Sequence, residues 1–475
     1  MRVFGTIVVL TLSLAGCALK SSPTQPEVLK QALPETTQIA PAWKAAPETR
    51  AVSDDWLKSF NDPMLDAIVK EAMANNLDLR KAADRVLIAR QSMVVAGAQL
   101  LPQVGAGLGG KTTHDFGDES NVDHTFNHTV VSLGMAWELD VWGRLRSQRA
   151  AAVAGFEATA LDYAYARQSL AATVAMSWYL TLEARQLVSL AERAVRLYSD
   201  LFELAKIKKT AGKSTELDVV DARAAMETAQ SDLEAARDSY GAAKRALEVL
   251  LGRYPAAEIK TAEAYPPLPP STGADVPATL LERRPDIVAA QQRVIAAFRL
   301  EESARLTLLP DFSISLVGER LGSHLISQLQ LNPWLTSASI GMAVPIYTGG
   351  ALRAQVKIAT AQQAQAVSQY GSVVLTAFRE VEDALSSEQI LEKRLQYEEH
   401  ALADRTSAVR IANVQYQAGS RDLLWVERLQ TQQIAMEERV IKLRNSQIAN
   451  RIQLHLALGG SFDASPVVNV PVAEK

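Results

Sequence analysis

Two stretches of this chain repeat each other at a fixed distance. AGAQLLPQ (Ala96–Gln103) returns as SARLTLLPD (Ser303–Asp311), with Pro102 matched to Pro310 at an offset of 208. GRLRSQ (Gly143–Gln148) answers GALRAQ (Gly350–Gln355), TAGKS (Thr210–Ser214) answers QAGSR (Gln417–Arg421), and LLG (Leu250–Gly252) answers ALG (Ala457–Gly459), all at 207. Landmarks kept in step over this length mean an internal duplication, so whatever one half folds into, the other half folds into as well. The resulting division is residues 54–254 as repeat one, a proline-rich linker over 255–276, residues 277–460 as repeat two, and a tail over 461–475.

What precedes the repeats reads as export and anchoring. Residues 1–16 form a signal peptide, with Arg2 ahead of the apolar run Val3–Leu14. LAGC (Leu14–Cys17) is a lipobox, and the single cysteine of the chain, Cys17, falls where diacylglycerol and N-acyl modification requires it. Ala18 rather than Asp after it resembles the sorting rule for Gram-negative outer membrane lipoproteins. Residues 17–53 are then expected to be a lipidated extended tether, because Ser21–Arg50 is rich in Pro, Thr, Gln and Ala without a period. With one cysteine, neither a disulfide framework nor a thiolate metal site is available. A net charge of −4, from 49 bases and 53 acids, gives no overall field that would draw nucleic acid. After Cys17 no apolar run is long enough for a transmembrane helix, so any membrane crossing must be β-structure with its backbone fully paired.

Proline placement separates long helices from the rest. None occurs between Pro102 and Pro255 or between Pro345 and Pro466, while seven of the 19 crowd into Pro255–Pro285. Proline-free intervals are what long helices need. Leu145–Lys208 reads as one helix, stopped at Ala211-Gly212, and Ser214 or Thr215 caps a second over Glu216–Leu251. Val219, Met226, Leu233, Tyr240 and Leu247 fall seven apart, with Ala222, Ala229, Ala236, Ala243 and Leu250 three residues behind each. That is a coiled-coil seam narrow enough for close approach. Repeat two echoes it in Val426, Val440, Leu454, Leu429, Met436 and Leu443, diluted by Gln433, Gln447 and Asn450.

Short stretches follow a period of two instead. Val131, Leu133, Met135, Trp137 and Leu139 alternate with Ser132, Gly134, Ala136 and Glu138; Phe312, Ile314 and Leu316 alternate with Ser313 and Ser315. Ile340, Met342 and Val344 alternate with Ser339, Gly341 and Ala343, and Val104, Ala106 and Leu108 with Gly105, Gly107 and Gly109. Each is a strand with one apolar and one small or polar face. Two strands per copy make four per chain, and a membrane barrel needs about eight, so the edges must pair with other subunits.

LLERRPDI (Leu280–Ile287), WELDVWGR (Trp137–Arg144), VPIYTGGALR (Val344–Arg353) and DDWLKSFNDPMLDAIVKEAMANNLDL (Asp54–Leu79) resemble the TolC-type outer membrane factors, in their NodT/OprM-like lipoprotein branch. The resemblance implies an α+β membrane protein: a homotrimer with a 12-stranded outer membrane β-barrel, four strands per chain, continued by a long periplasmic α-helical coiled-coil barrel. It implies the exit duct of a tripartite drug-efflux pump in the Gram-negative outer membrane, in contact with outer membrane lipid. Its partners would be a periplasmic adaptor and an inner membrane RND-type transporter. A duct for protein secretion is the alternative within transport, and a non-transporting surface coiled coil lies outside it.

Carried over position by position, the resemblance puts adaptor-docking tips at Gly212, Lys213, Gly419 and Ser420, and a closed gate at Leu217, Asp221, Leu424, Glu427 and Arg428. Relatives usually carry Asp at the position of Arg428. Three symmetry-related arginines repel by about 0.7 kcal/mol per pair at roughly 6 Å in water, so Arg428 is expected to pair with Asp221, Asp218 or Glu427 as a latch beside a Leu424 constriction. No catalytic constellation is expected: neither HExxH nor GxSxG occurs, and AGKST (Ala211–Thr215) has Ile207 where a phosphate loop needs glycine. No cofactor or metal is expected beyond the acyl chains, and His114, His124 and His128 read as a solvated loop between two strands.

Overall fold

The computed structural model describes residues 19–45, 52, 54–115, 124–262, 264–269, 274–322 and 334–463. The signal peptide, Cys17 and the last twelve residues lie outside them. In chain order the described elements are helices α1 (Gln25–Ala32), α2 (Trp56–Ser59), α3 (Pro63–Asn75) and α4 (Leu77–Ala98), then strands β1 (Gln103–Asp115) and β2 (His124–Leu139). Helices α5 (Arg144–Thr210), α6 (Glu216–Leu250), α7 (Pro277–Arg283) and α8 (Pro285–Leu306) follow. Strands β3 (Asp311–Gly322) and β4 (Leu335–Ala343) and helices α9 (Ala351–Gln417) and α10 (Leu423–Ala457) complete the order. The duplication is visible in the lengths: α4 and α8 have 22 residues each, α5 and α9 have 67, α6 and α10 have 35.

The chain divides into two compact units. The first comprises Met1–Glu35, Arg85–Ala160 and Ala289–Ser372 and carries the sheet. Its order is β1-β2-β3-β4, antiparallel throughout. Register assigns the faces, since paired residues share a side. Val104 opposes Met135, which opposes Leu316; Trp137 opposes Ile314, which opposes Ile340; Leu139 opposes Phe312, which opposes Met342. The other side carries Gly105 against Gly134, Ala136 against Ser315 and Ser339, and Glu138 against Ser313 and Gly341. Ser315 and Ser339 hydroxyls bond across it at 2.6 Å. Much of the apolar side is exposed: Val104 is 70% exposed, Ile340 80% and Met342 64%, while Met135, Trp137, Leu139, Phe312 and Ile314 are partly covered. Every residue of β4 is exposed.

The strands run further than the alternation suggested. β2 begins at His124 rather than Val131, with Asp115 opposite His124 and Lys111 opposite His128. His114, His124 and His128 are therefore strand residues, not loop. Their polarity masked a ladder that threonine-rich KTTHD and HTFNHTVV can propagate.

The first unit also corrects the expectation of a featureless tether. Thr24 donates its amide to the Glu27 carboxylate at 2.8 Å, and Pro26 stands in the first turn of α1, a local start signal that overall composition hides. Val28 is 1% exposed, and the α1 end packs so closely on Gly371 of α9 that a Cβ there would lie 2.4 Å from the Ala32 carbonyl oxygen. From Lys20 to Ser22 the chain is held too. The Lys20 amide donates to Glu302 Oε1 at 3.1 Å, and Arg299 donates to the Lys20 carbonyl at 2.7 Å and to Ser22 Oγ at 2.8 Å. The buried Ser147 hydroxyl and Arg299 both donate to Glu302 Oε2, at 3.3 and 2.9 Å.

The second unit comprises Thr36–Asp84, Leu161–Val288 and Val373–Lys475. Its core gathers Trp56, Phe60, Leu65, Trp178, Tyr179, Leu182, Leu247 and Ile452, with Trp178 Nε1 donating to Asp62, the N-cap of α3, at 2.9 Å. The proline-rich linker is fastened rather than loose. The buried Glu248 carboxylate accepts the amides of Ala257, Glu258 and Ile259 at 2.6, 2.6 and 2.9 Å, and Arg185 donates to the carbonyls of Thr261 and Ala262.

Of the RRPD residues, Arg284 is 2% exposed. It forks onto Asp286 at 3.0 and 2.8 Å, reaches Glu380 at 2.7 Å and the Ala457 carbonyl at 3.2 Å, and lies over the Tyr165 ring. The motif is a staple tying α8 to α9 and to the end of α10.

Candidate functional site

The two helix tips are built alike, from local sequence. α5 ends at Thr210; Gly212 at φ +70° donates to Lys209 O at 2.9 Å, and Lys213 donates to Lys208 O at 2.8 Å. α9 ends at Gln417; Gly419 at φ +79° donates to Tyr416 O at 3.1 Å, and Ser420 donates to Gln415 O at 3.0 Å. Both are Schellman stops, and a Cβ at either glycine would meet open space, so conformation rather than room demands glycine. The following helices are capped by side chains. Asp218 N bonds Thr215 Oγ1 at 3.2 Å while its carboxylate takes the Thr215 amide at 2.8 Å and the Ser214 hydroxyl at 2.7 Å. Trp425 N bonds Asp422 Oδ1 at 2.8 Å. AGKST is thus a helix–helix turn.

Behind the tips four helices pack. Tyr198 and Ala205 of α5, Val219, Ala222 and Ala229 of α6, Ala412 and Tyr416 of α9, and Val426 and Leu429 of α10 form one buried cluster. The expected seams supply part of it: Val219, Ala222, Ala229, Val426 and Leu429 join this cluster, while Leu233 and Leu247 of α6 and Val440, Leu443 and Leu454 of α10 are buried further along their helices. Two of the polar residues that interrupt the second seam find partners, Gln433 on Glu437 at 3.1 Å and Asn450 on the Ala384 carbonyl at 2.9 Å. Lys208, one turn before Gly212, sits 3.3 Å from the Tyr416 ring centroid and donates to the Tyr416 carbonyl at 3.2 Å, fixing the two tips side by side. Burial, aided by Lys213, lowers its pKa.

The gate residues divide into two sets. Leu217 and Leu424 are 67% and 46% exposed, on faces the protomer leaves uncovered. Asp221 and Glu427 are half-buried and meet across α6 and α10: burial first, then the Asp221 charge and hydrogen bond, push the Glu427 carboxyl up to about 6. Within one chain Arg428 meets none of the three acids expected as its partners. Asp218 is committed to the cap and Glu427 to Asp221, and Arg428 is exposed with its guanidinium 4.5 Å from the Trp425 ring centroid. Within one chain there is no arginine latch among the described residues; the acids pair with each other because both face the α6–α10 seam. Trp425, over which Arg421 also lies at 5.1 Å, was invisible to pattern reasoning because stacking leaves no sequence period.

Three comparisons place this geometry. The outer membrane efflux protein family matches residues 68–253 and 276–460, one match per repeat. The chain is 31% identical over 469 residues to the pyoverdine export outer membrane protein OpmQ of Pseudomonas putida, covering 96% of this chain and 97% of that one. It is 26% identical over 457 residues to the cation efflux system protein CusC of Escherichia coli, covering 95% and 97%. Among solved structures, the outer-membrane channel OprN superposes with a TM-score of 0.81 at 23% identity over 90% of this chain and 98% of that one. CusC superposes at 0.77 and 25% identity over 90% and 99%.

Proposed function

The chain belongs to the outer membrane efflux protein family, and from that premise we propose that it is the outer membrane channel of a tripartite efflux pump. It is a passive exit duct for small toxic or secreted compounds, reaching from the outer membrane into the periplasm. The observation that carries this reading is the sheet: four antiparallel strands with an exposed apolar side, a small and polar side, and two unpaired edges, at β1 and β4. A lipid-facing exterior and a wet interior are what a membrane barrel needs, and four strands cannot close one. Three chains supply 12 strands and leave no edge, with the long helices continuing as a periplasmic α-helical barrel. A homotrimer is the state this supports.

The other assignments follow from position. Acylation at Cys17 is supported by the lipobox Leu14–Cys17, which holds the single cysteine of the chain. The tips at Gly212, Lys213, Gly419 and Ser420 are exposed, and they are where a periplasmic adaptor docks, with an inner membrane RND-type transporter supplying the energy. Leu217 and Leu424 form the constriction, Asp221 and Glu427 tie its two helices together, and docking opens it. Repeat one over 54–254 and repeat two over 277–460, joined by the linker over 255–276, supply one helical hairpin each to every protomer's share of the wall. Relatives named for pyoverdine export and cation efflux support small molecules over proteins as cargo.

Deletion of the gene should lower the minimum inhibitory concentration of several unrelated compounds, and the purified lipoprotein should run as a heat-labile trimer that conducts in planar bilayers. A monodisperse monomer without conductance would refute the duct.

A further inference from the structure

We infer that Arg428 makes the closed end of the duct select for anionic cargo. This rests on the duct reading above, with tips that converge around the pathway. Around the start of α10 the acids are engaged: Asp422 caps the helix, Glu427 turns to Asp221, and Asp218 is held by Ser214 and Thr215. Arg428 is left as an exposed charge with no ion pair among the described residues, its guanidinium 4.5 Å from the Trp425 ring centroid. Arg421 lies over the same ring at 5.1 Å.

A ring attracts a cation through its quadrupole and carries no net charge, so Trp425 fixes the position of Arg428 without neutralising it. Leu424 precedes Arg428 by one turn on the same helix face, 46% exposed. Three protomers therefore present an apolar collar with three fixed positive charges one turn deeper. At roughly 7 Å from a passing ion and about 0.1 M salt, three such charges favour a monovalent anion by about fivefold relative to the same end with an uncharged side chain at position 428. Small molecules bearing carboxylate or phosphate groups would pass this point more readily than amines.

Reversal potentials of trimers in planar bilayers under a KCl gradient test the assignment. Wild type should reverse on the chloride side, R428K should keep that preference, and R428Q should bring the potential toward zero. R428E should reverse on the potassium side, lowering the chloride-to-potassium permeability ratio at least about fivefold. Unchanged reversal potentials in R428Q and R428E, with conductance steps intact, overturn the anion filter while leaving the duct standing. Absence of any steps from wild-type trimers overturns the duct, and the filter with it.

Discussion

Replacing Arg284 with methionine should be among the most damaging single changes in the second unit. The side chain is 2% exposed and makes four hydrogen bonds, two to Asp286, one to Glu380 and one to the Ala457 carbonyl. Methionine fills much of the volume, so the loss is electrostatic rather than a cavity. Two carboxylates and a carbonyl would be stranded beside a buried apolar group. Breaking a buried pair this way costs about 3–5 kcal/mol. Asp286 and Glu380 keep 22% and 28% of their side-chain surface, so water can partly rescue them and the lower end, about 3 kcal/mol, applies. The assay is thermal unfolding of the purified protein in detergent, followed by helical circular dichroism. If the stranded charge is the cause, the triple variant R284M/D286N/E380Q should recover most of the lost midpoint. A single variant as stable as wild type, or a triple variant no better than the single, would refute the argument.

Two further outcomes follow from particular contacts. Glu427 is raised to about 6 in the fold by burial and by Asp221, above its unfolded value, so its contribution to the α6–α10 contact is complete below the ordinary carboxylate range. It is lost as pH climbs through about 6; E427Q should remove that dependence, and a wild-type thermal midpoint that does not fall between about pH 5 and pH 7 would contradict it. The variant R299A/E302A should release the segment at residues 20–22, so that limited trypsin cleaves at Lys20 or Lys30 several times faster; equal cleavage rates would show that the clamp does not hold the segment.

Much of the architecture was legible because its causes are local. Helix stops at Gly212 and Gly419 and the cap at Thr215 need only a few neighbouring residues, and strand alternation needs only the next side chain. The α1 helix was missed although its Thr24–Glu27 box is equally local, because composition over thirty residues averaged the signal away. The side that Arg428 takes within one chain was not legible for a different reason. Whether Asp221 meets Glu427 or Arg428 turns on which side of α10 faces α6, and adjacent residues on a helix point about 100° apart.

The sequence by itself determined the duplication, the lengths and ends of the paired long helices, and the two faces of each strand, since spacing and alternation are written in one dimension. Only the tertiary structure decided how charges are spent: Arg284 meets Glu380 and the Ala457 carbonyl, 96 and 173 residues away, Glu302 holds Lys20 across 282 residues, and Arg428 lies on Trp425 instead of an acid. Such contacts depend on the rotation and height of helices far apart in the chain, which no local pattern encodes.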